Sequence, residues 1–412
     1  MSRTRLAAMV GLLGFLVRVL HLAFGPVDYE TIPIRVDQYA HIAQHLIAGE
    51  GYAISSHEDI ADETPSEPRL YPTAKRTPAY PLFLAALYAI GFEDSAILWL
   101  QCVFEGLTCA MIVLVATAAG IPSIPSVLAG CAFALYVPEL RMVERLTTEP
   151  LFTCLLQLSL LFAIAKPPGA PSWRRAIALG AVTAIAGLCR PTWLPYAIVQ
   201  LGLLWPGRKE RVPRLAAFTA IFLILITPWF LRNRSALDTL AVSTLSGFTL
   251  YVGNHPGTDG MYRDYDQLEP ELLVRLAGRD EVEKNRILQR AALEQMRENG
   301  WATQAELLAV KAARFWVNVP AGTRRPTLKS LINLPILLGF LLGTWFALTR
   351  TTDAVSRSAL AWLALPVLYL WGVHALYLST TRMAFPVLPH AFILAASAAA
   401  VLWSRFRGRP TS

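Results

Sequence analysis

Two groups of residues could do chemistry together: a carboxylate, Asp37, and a cation pair, Lys75 and Arg76, at opposite ends of a long polar stretch in an otherwise apolar chain. An ionised carboxylate within hydrogen-bond reach of a hydroxyl can take its proton as a new bond forms. Fixed cations can meet the negative charge that grows on a departing phosphate. An acid and two cations at the edge of a membrane helix point to chemistry on an anionic, lipid-borne substrate. The competing reading is a solvated loop whose charges keep it in water, with Asp37 capping the helix that follows it.

The elements that must position these residues are readable around them. In RLYPTAKRTPAYPLF, Pro72, Pro78 and Pro81 prevent a helix across the cations, because each removes a backbone donor and restricts the residue before it. Lys75 and Arg76 are therefore expected on extended backbone. After Asp37, QYAHIAQHLIA places Tyr39, Ile42, Ala43, Leu46 and Ile47 at helical spacing, which predicts an amphipathic helix over 38–48 lying on the membrane and stopped by Gly49 and Gly51. His41 and His45, four apart, have no third ligand in sight and read as the wet face of that helix rather than a metal site.

Composition sets the class. Of 412 residues, 54% are hydrophobic and only 16% charged, against about 25% charged in soluble domains. Apolar runs near the ~20 residues needed to cross a bilayer recur from end to end, so an all-α polytopic membrane protein is expected. The net charge of +8 sits in arginines clustered between apolar runs, as orientation signals do, and excludes nucleic acid as the partner it would suggest in a soluble chain. The five cysteines lie in or beside apolar runs without CxxC spacing and read as core residues.

The chain divides into a retained first span (1–25) with its amino end in the cytoplasm, a first external loop (26–78), core spans (79–231), a second large external region (232–328) and C-terminal spans (329–412). The basic loops KPPGAPSWRR and PGRKERVPR fix the cytoplasmic side. About ten crossings are expected, within two. Parity allows only two of the three apolar segments at about 79–91, 96–119 and 126–138 to cross, and 126–138 is the expected fold-back. The charged helical sequence after 232 has narrow apolar faces and is expected against the membrane or the protein surface. No internal repeat is visible.

The ordered series D-x-x-Y-x-x-I-A-x-x-L-x-x-G-x-G-Y from Asp37, then PTAKRTPAYPLFLAALY, LTTEPLF, CRP, TPWFLRN, TLYVGN and KAARFW, resembles the GT-C glycosyltransferases over roughly residues 5–400. It looks most like bacterial members similar to protein O-mannosyltransferases and the lipid A aminoarabinose transferase. That resemblance implies a bundle of about ten spans with two external loops carrying amphipathic helices. It also implies a sugar donor carried on polyprenyl phosphate, and transfer with inversion on the external side of the cytoplasmic (inner) membrane. Asp37 matches the family's catalytic Asp, while Gln38 stands where many relatives have a second acid. Arg76 matches the family's cation before the proline-rich start of a span; Lys75 and Arg232 join it as candidates for the donor phosphate, with headgroup snorkelling as their alternative.

Relatives often place another acid near the site, which makes Glu149 and Glu139 candidates. Either is expected to help Asp37 bind a divalent cation such as Mg or Mn, with Glu149 the ligand named, or to pair with Arg141 or Arg145. Tyr39, Tyr71 and Tyr80 are candidates to line the sugar or lipid groove; His255 and Arg382 are candidates to reach the acceptor, and Arg190 is a further residue of interest, with headgroup contact its alternative. The expected partners are the lipid-linked donor, membrane lipids and an envelope glycan, lipid or protein acceptor. A transporter or flippase of lipid-linked sugars, or a noncatalytic subunit of an envelope-assembly complex, would share the grooves and cations without needing Asp37 as a base.

Overall fold

The computed structural model describes residues 1–25, 34–35, 38–55, 69–164, 172–205, 210–255, 268–317, 328–350 and 354–406. Helix α1 (Arg3–Phe24) leads to α2 (Tyr39–Ile47) and to a short antiparallel hairpin of β1 (Ala53–Ser55) and β2 (Leu70–Pro72). Then come α3 (Ala79–Ala89), α4 (Asp94–Ala118), α5 (Ser123–Ala134), α6 (Val137–Leu140), α7 (Glu149–Ile164), α8 (Ser172–Cys189), α9 (Tyr196–Leu204) and α10 (Arg211–Leu237). Four helices make the second loop region, α11 (Ser246–Asn254), α12 (Pro270–Leu276), α13 (Glu281–Glu298) and α14 (Gly300–Trp316). Three more close the bundle: α15 (Leu334–Arg350), α16 (Ala354–Leu376) and α17 (Leu388–Phe406).

Small residues let the first spans approach closely, as membrane helices do where no hydrophobic force separates lipid from protein. A Cβ on Gly11 would lie 2.9 Å from that of Ala110, and one on Gly14 would lie 2.4 Å from Cys109 Sγ. As α1 advances from Gly11 through Gly14 to Arg18, its partner on α4 recedes from Ala110 through Cys109 to Glu105, so the two run antiparallel. The end of α1 and the start of α4 therefore share one face, here the loop face. Alongside them, Val10 meets Gly130, Arg18 meets Ala134 and His21 meets Glu144, so the bent pair α5 and α6 climbs parallel to α1.

Among the described helices six are long and apolar enough to cross a membrane, and seven if the bent pair 123–143 counts as one span. The expected ten is reached only with α7, α8 and α9, which are shorter or more polar. The fold-back lies elsewhere than expected. Helix α3, not 126–138, begins and ends at the loop face: Tyr80 near its start donates to Gln101 of α4 at 2.8 Å, and Tyr88 near its end donates to Asp94 at 2.6 Å. Eleven helical residues reach only about 16 Å, half a bilayer core, and Gly91 at φ +88° turns the chain back into α4. The 126–138 stretch instead continues through a 54° bend. Ala134, at the break, has its carbonyl satisfied by Arg18 Nη1 at 3.2 Å, which makes broken backbone tolerable in a membrane protein.

Helix α2 forms as expected and stops where Gly49 and Gly51 take φ of +78° and +84°. Its Tyr39, Ala40, Ile42 and Ala43 are buried in protein. Helix α13, capped by Asp280, packs on α11 and α12 around Phe248, Val252, Leu272, Leu276 and Leu288, so the second region carries its own small core.

A candidate anion-binding site at the loop face

The cation segment is fixed residue by residue. Arg232 Nη1 at the end of α10 donates to Thr73 O at 2.6 Å, Thr244 N to Ala74 O at 3.1 Å, Ser243 Oγ to Lys75 O at 2.9 Å, and Tyr52 Oη to Arg76 O at 2.9 Å. Thr77 Oγ1 reaches Cys189 O at 3.2 Å. From the second loop region, Glu281 at the first turn of α13 accepts from Ala74 N and Thr73 Oγ1, both at 2.7 Å, and from Thr244 Oγ1 at 3.1 Å. Burial pushes the Glu281 carboxyl above its usual range, while these donors and Lys75 oppose that shift. The prolines deny this segment a helix, and neighbouring elements supply the hydrogen bonds a helix would have made.

On this strap the Arg76 guanidinium lies over the Tyr39 ring, 5.3 Å from its centroid, and Tyr39 stands edge-on to Tyr80 at 5.2 Å. The Thr77 to Cys189 bond sets the strap beside a second charged group. Glu149, fully buried at the start of α7, accepts from Arg190 Nη2 at 2.6 Å and from Arg382 through both Nε and Nη2. Arg190 Nε also donates to Thr148 Oγ1 at 3.0 Å, and its guanidinium covers Phe152. Ile34 O accepts from Leu146 N at 2.9 Å, so the chain before Asp37 is paired with the chain before Glu149.

No protein-family description matches this chain, and no curated protein matches it. Solved structures of the oligosaccharyltransferase AglB from the archaeon Archaeoglobus fulgidus do. The apo form superposes with a TM-score of 0.59 at 10% identity over 98% of this chain and 51% of that one. The form tethered to an acceptor peptide gives 0.58 at 12% identity, covering 97% and 50%. The complex with an inhibitory peptide and a dolichol-phosphate gives 0.56 at 11%, covering 98% and 51%. The chain shares the fold of these archaeal oligosaccharyltransferase structures. It spans about half the length of the solved structures it matches.

Within this bundle the residues singled out by sequence separate. Asp37 lies outside the described residues. Arg76 and Tyr39 come together at the strap, while the buried Lys75 is close enough to Glu281 to favour its charged form. Arg232 does not present its guanidinium as expected: it is spent on the carbonyls of Thr73 and Tyr52, on Asn233 Oδ1, and between the Tyr52 and Trp229 rings. It holds the strap rather than facing outward from it. Tyr80 is fully buried against Gln101, an interior post rather than a groove wall, and Tyr71 pairs with Ile54 in the hairpin. His255 meets Glu269 and Tyr251 in the second loop region, away from the strap.

The two acids differ from expectation as well. Glu149 pairs with Arg190 and Arg382 instead of Arg141 or Arg145, and Arg382 faces this carboxylate. Glu139 is fully buried, and neither of its oxygens has a hydrogen-bond partner among the described residues. It belongs to the interior group of Arg18 and Glu105, whose ion pair spans 3.0 Å. Among the described residues no three of His, Cys, Asp and Glu gather as metal ligands. Both Glu149 oxygens already accept from guanidiniums, so this residue does not fit the role of ligand to a divalent cation. Arg190, noted in the sequence without a partner, pairs with Glu149, and Thr148 was missed; CRP and LTTEPLF are the segments that contain them.

Proposed function

We propose that this protein is an integral membrane glycosyltransferase that moves a sugar from a polyprenyl-phosphate donor to an acceptor at the external face of the cytoplasmic membrane. The observation that carries this reading is the cationic strap at Lys75 and Arg76, fixed at one face of a GT-C bundle by partners from four separate parts of the chain. That the related archaeal structures include one with a dolichol-phosphate and one with an acceptor peptide supports a lipid-linked donor and a separate acceptor.

In this reading Asp37 takes the proton from the acceptor hydroxyl as it attacks the anomeric carbon, and the configuration there inverts in one displacement. The bond from that carbon to the phosphate oxygen breaks, and its electron pair leaves with the polyprenyl phosphate. Arg76 and Lys75 stabilise the charge that grows on that oxygen. A low-dielectric edge strengthens such an interaction, and a strap fixed beforehand needs no reorganisation when the charge appears. The test uses full-length protein with labelled polyprenyl-phosphate sugar. Asp37→Asn is expected to keep donor binding and to lower turnover by about 10²-fold or more. Unchanged turnover would remove Asp37 as the base, and transport of the intact donor across vesicles without transfer would replace the enzyme with a flippase.

A further inference from the structure

Glu149, Arg190 and Arg382 come from three distant parts of the chain and form one network. The carboxylate is fully buried, while the side chains of Arg190 and Arg382 are 15% and 37% exposed. Among the described residues the one carboxylate stands between these two guanidiniums. Glu149 Oε1 accepts from Arg190 Nη2 and Arg382 Nε, and Oε2 accepts from Arg382 Nη2 at 3.2 Å and lies 3.5 Å from Thr148 Oγ1. A carboxylate held this way is a poor proton acceptor, because both guanidiniums favour its charged form. It also offers no vacant lone pair to a metal.

What the network offers instead is donors. Arg190 is held through Nε and Nη2, which leaves its Nη1 edge outside these bonds. Close by in sequence, two buried hydroxyls have no hydrogen-bond partner among the described residues: Thr147, beside Thr148, and Ser379, three residues before Arg382. Buried hydroxyls that lack partners call for one from outside the chain. Guanidiniums match phosphate oxygens with paired, charge-assisted hydrogen bonds. Without the carboxylate between them, two guanidiniums this close would repel and lose their orientation.

We propose that Glu149 is a positioning residue, which locks Arg190 and Arg382 into a preformed receptor for a phosphate group and acts neither as base nor as metal ligand. Identifying that phosphate with the one the donor carries rests on the function proposed above; the receptor itself does not.

The experiment measures binding of farnesyl phosphate and of inorganic phosphate to full-length protein in nanodiscs, with folding checked by size exclusion and tryptophan emission. Arg382→Gln, Arg190→Gln and Glu149→Gln should each weaken binding about tenfold or more, the size expected for a lost charge-assisted hydrogen bond. Because Glu149 acts through the arginines, adding Glu149→Gln to a protein that carries both Arg190→Gln and Arg382→Gln should cost less than about a further twofold, the mark of coupled residues. Weakening confined to farnesyl phosphate supports a lipid-borne ligand; equal weakening for both probes supports a receptor for the phosphate group alone. Unchanged binding of both probes in folded variants would overturn the receptor. A full effect of Glu149→Gln in the absence of both arginines, or loss of a divalent-cation requirement in Glu149→Gln, would overturn the positioning role. If phosphate binding falls as expected while Asp37→Asn leaves turnover intact, the receptor stands and the catalytic reading fails.

Discussion

At the scale of the residue, two arginines that looked alike in sequence have different work. Arg76 sits over Tyr39 on the strap, whereas Arg232 gives its donors to the backbone beneath it. Their substitutions should therefore separate. Arg76→Gln should lower kcat by about 10²-fold with little change in unfolding temperature, the size seen when one fixed donor to a developing oxyanion is lost. Arg232→Met should destabilise by about 1–3 kcal/mol, since the Thr73 carbonyl loses its donor and the Tyr52 carbonyl keeps only Thr73 N, and activity should fall with it. Parallel turnover and thermal-melt measurements on both variants check this. A melt lowered as much by Arg76→Gln as by Arg232→Met would mean that both are struts.

At the scale of the element, the loop face depends on how closely α1 and α4 approach. Their contact is made by Gly11, Gly14 and Gly106, where a side chain would meet backbone or a neighbouring Cβ within about 3 Å. Gly14→Leu should force the helices apart and destabilise by about 1–3 kcal/mol or more. The same shift would separate Arg18 from Glu105 one turn further along. Gly202, whose Cβ direction is open, is the control: Gly202→Leu should leave the melt in place. Equal effects at the two positions, measured in the same detergent, would deny the close packing a structural role.

At the scale of the whole molecule, the second loop region must stay on the bundle for Glu281 to hold the strap. Part of that docking is Lys311 of α14, whose Nζ donates to Asn254 Oδ1 at 2.8 Å and to the carbonyls of Leu376 and Tyr377 at 3.1 and 3.2 Å. Burial pushes the Lys311 ammonium down to about 8 from its ordinary 10.5. Below that value the group is charged both folded and unfolded, and the cost of burying the charge is felt in full. Between about 8 and 10.5 the unfolded chain keeps a proton that the folded one has released, so stability rises with pH across that window. The unfolding temperature should climb by a few degrees there, and Lys311→Met should flatten the climb. A wild-type melt that falls monotonically from pH 8 to 10, unaltered by the substitution, would contradict this.

Much of this protein was legible before any coordinates. The all-α, multi-span class follows from apolar runs of bilayer length, because a chain in lipid must satisfy its backbone within helices. The non-helical strap at Lys75 and Arg76 follows from Pro72, Pro78 and Pro81, and the end of α2 from Gly49 and Gly51, since those residues restrict or free the backbone locally. Tertiary structure alone decided which segment folds back, because hydropathy reports that a segment is apolar and not where its ends lie. It alone turned Arg232 inward and joined Glu149 to Arg382, 233 residues away. Which cation meets which anion depends on helices brought together by packing, and packing between distant segments leaves no local pattern in the chain.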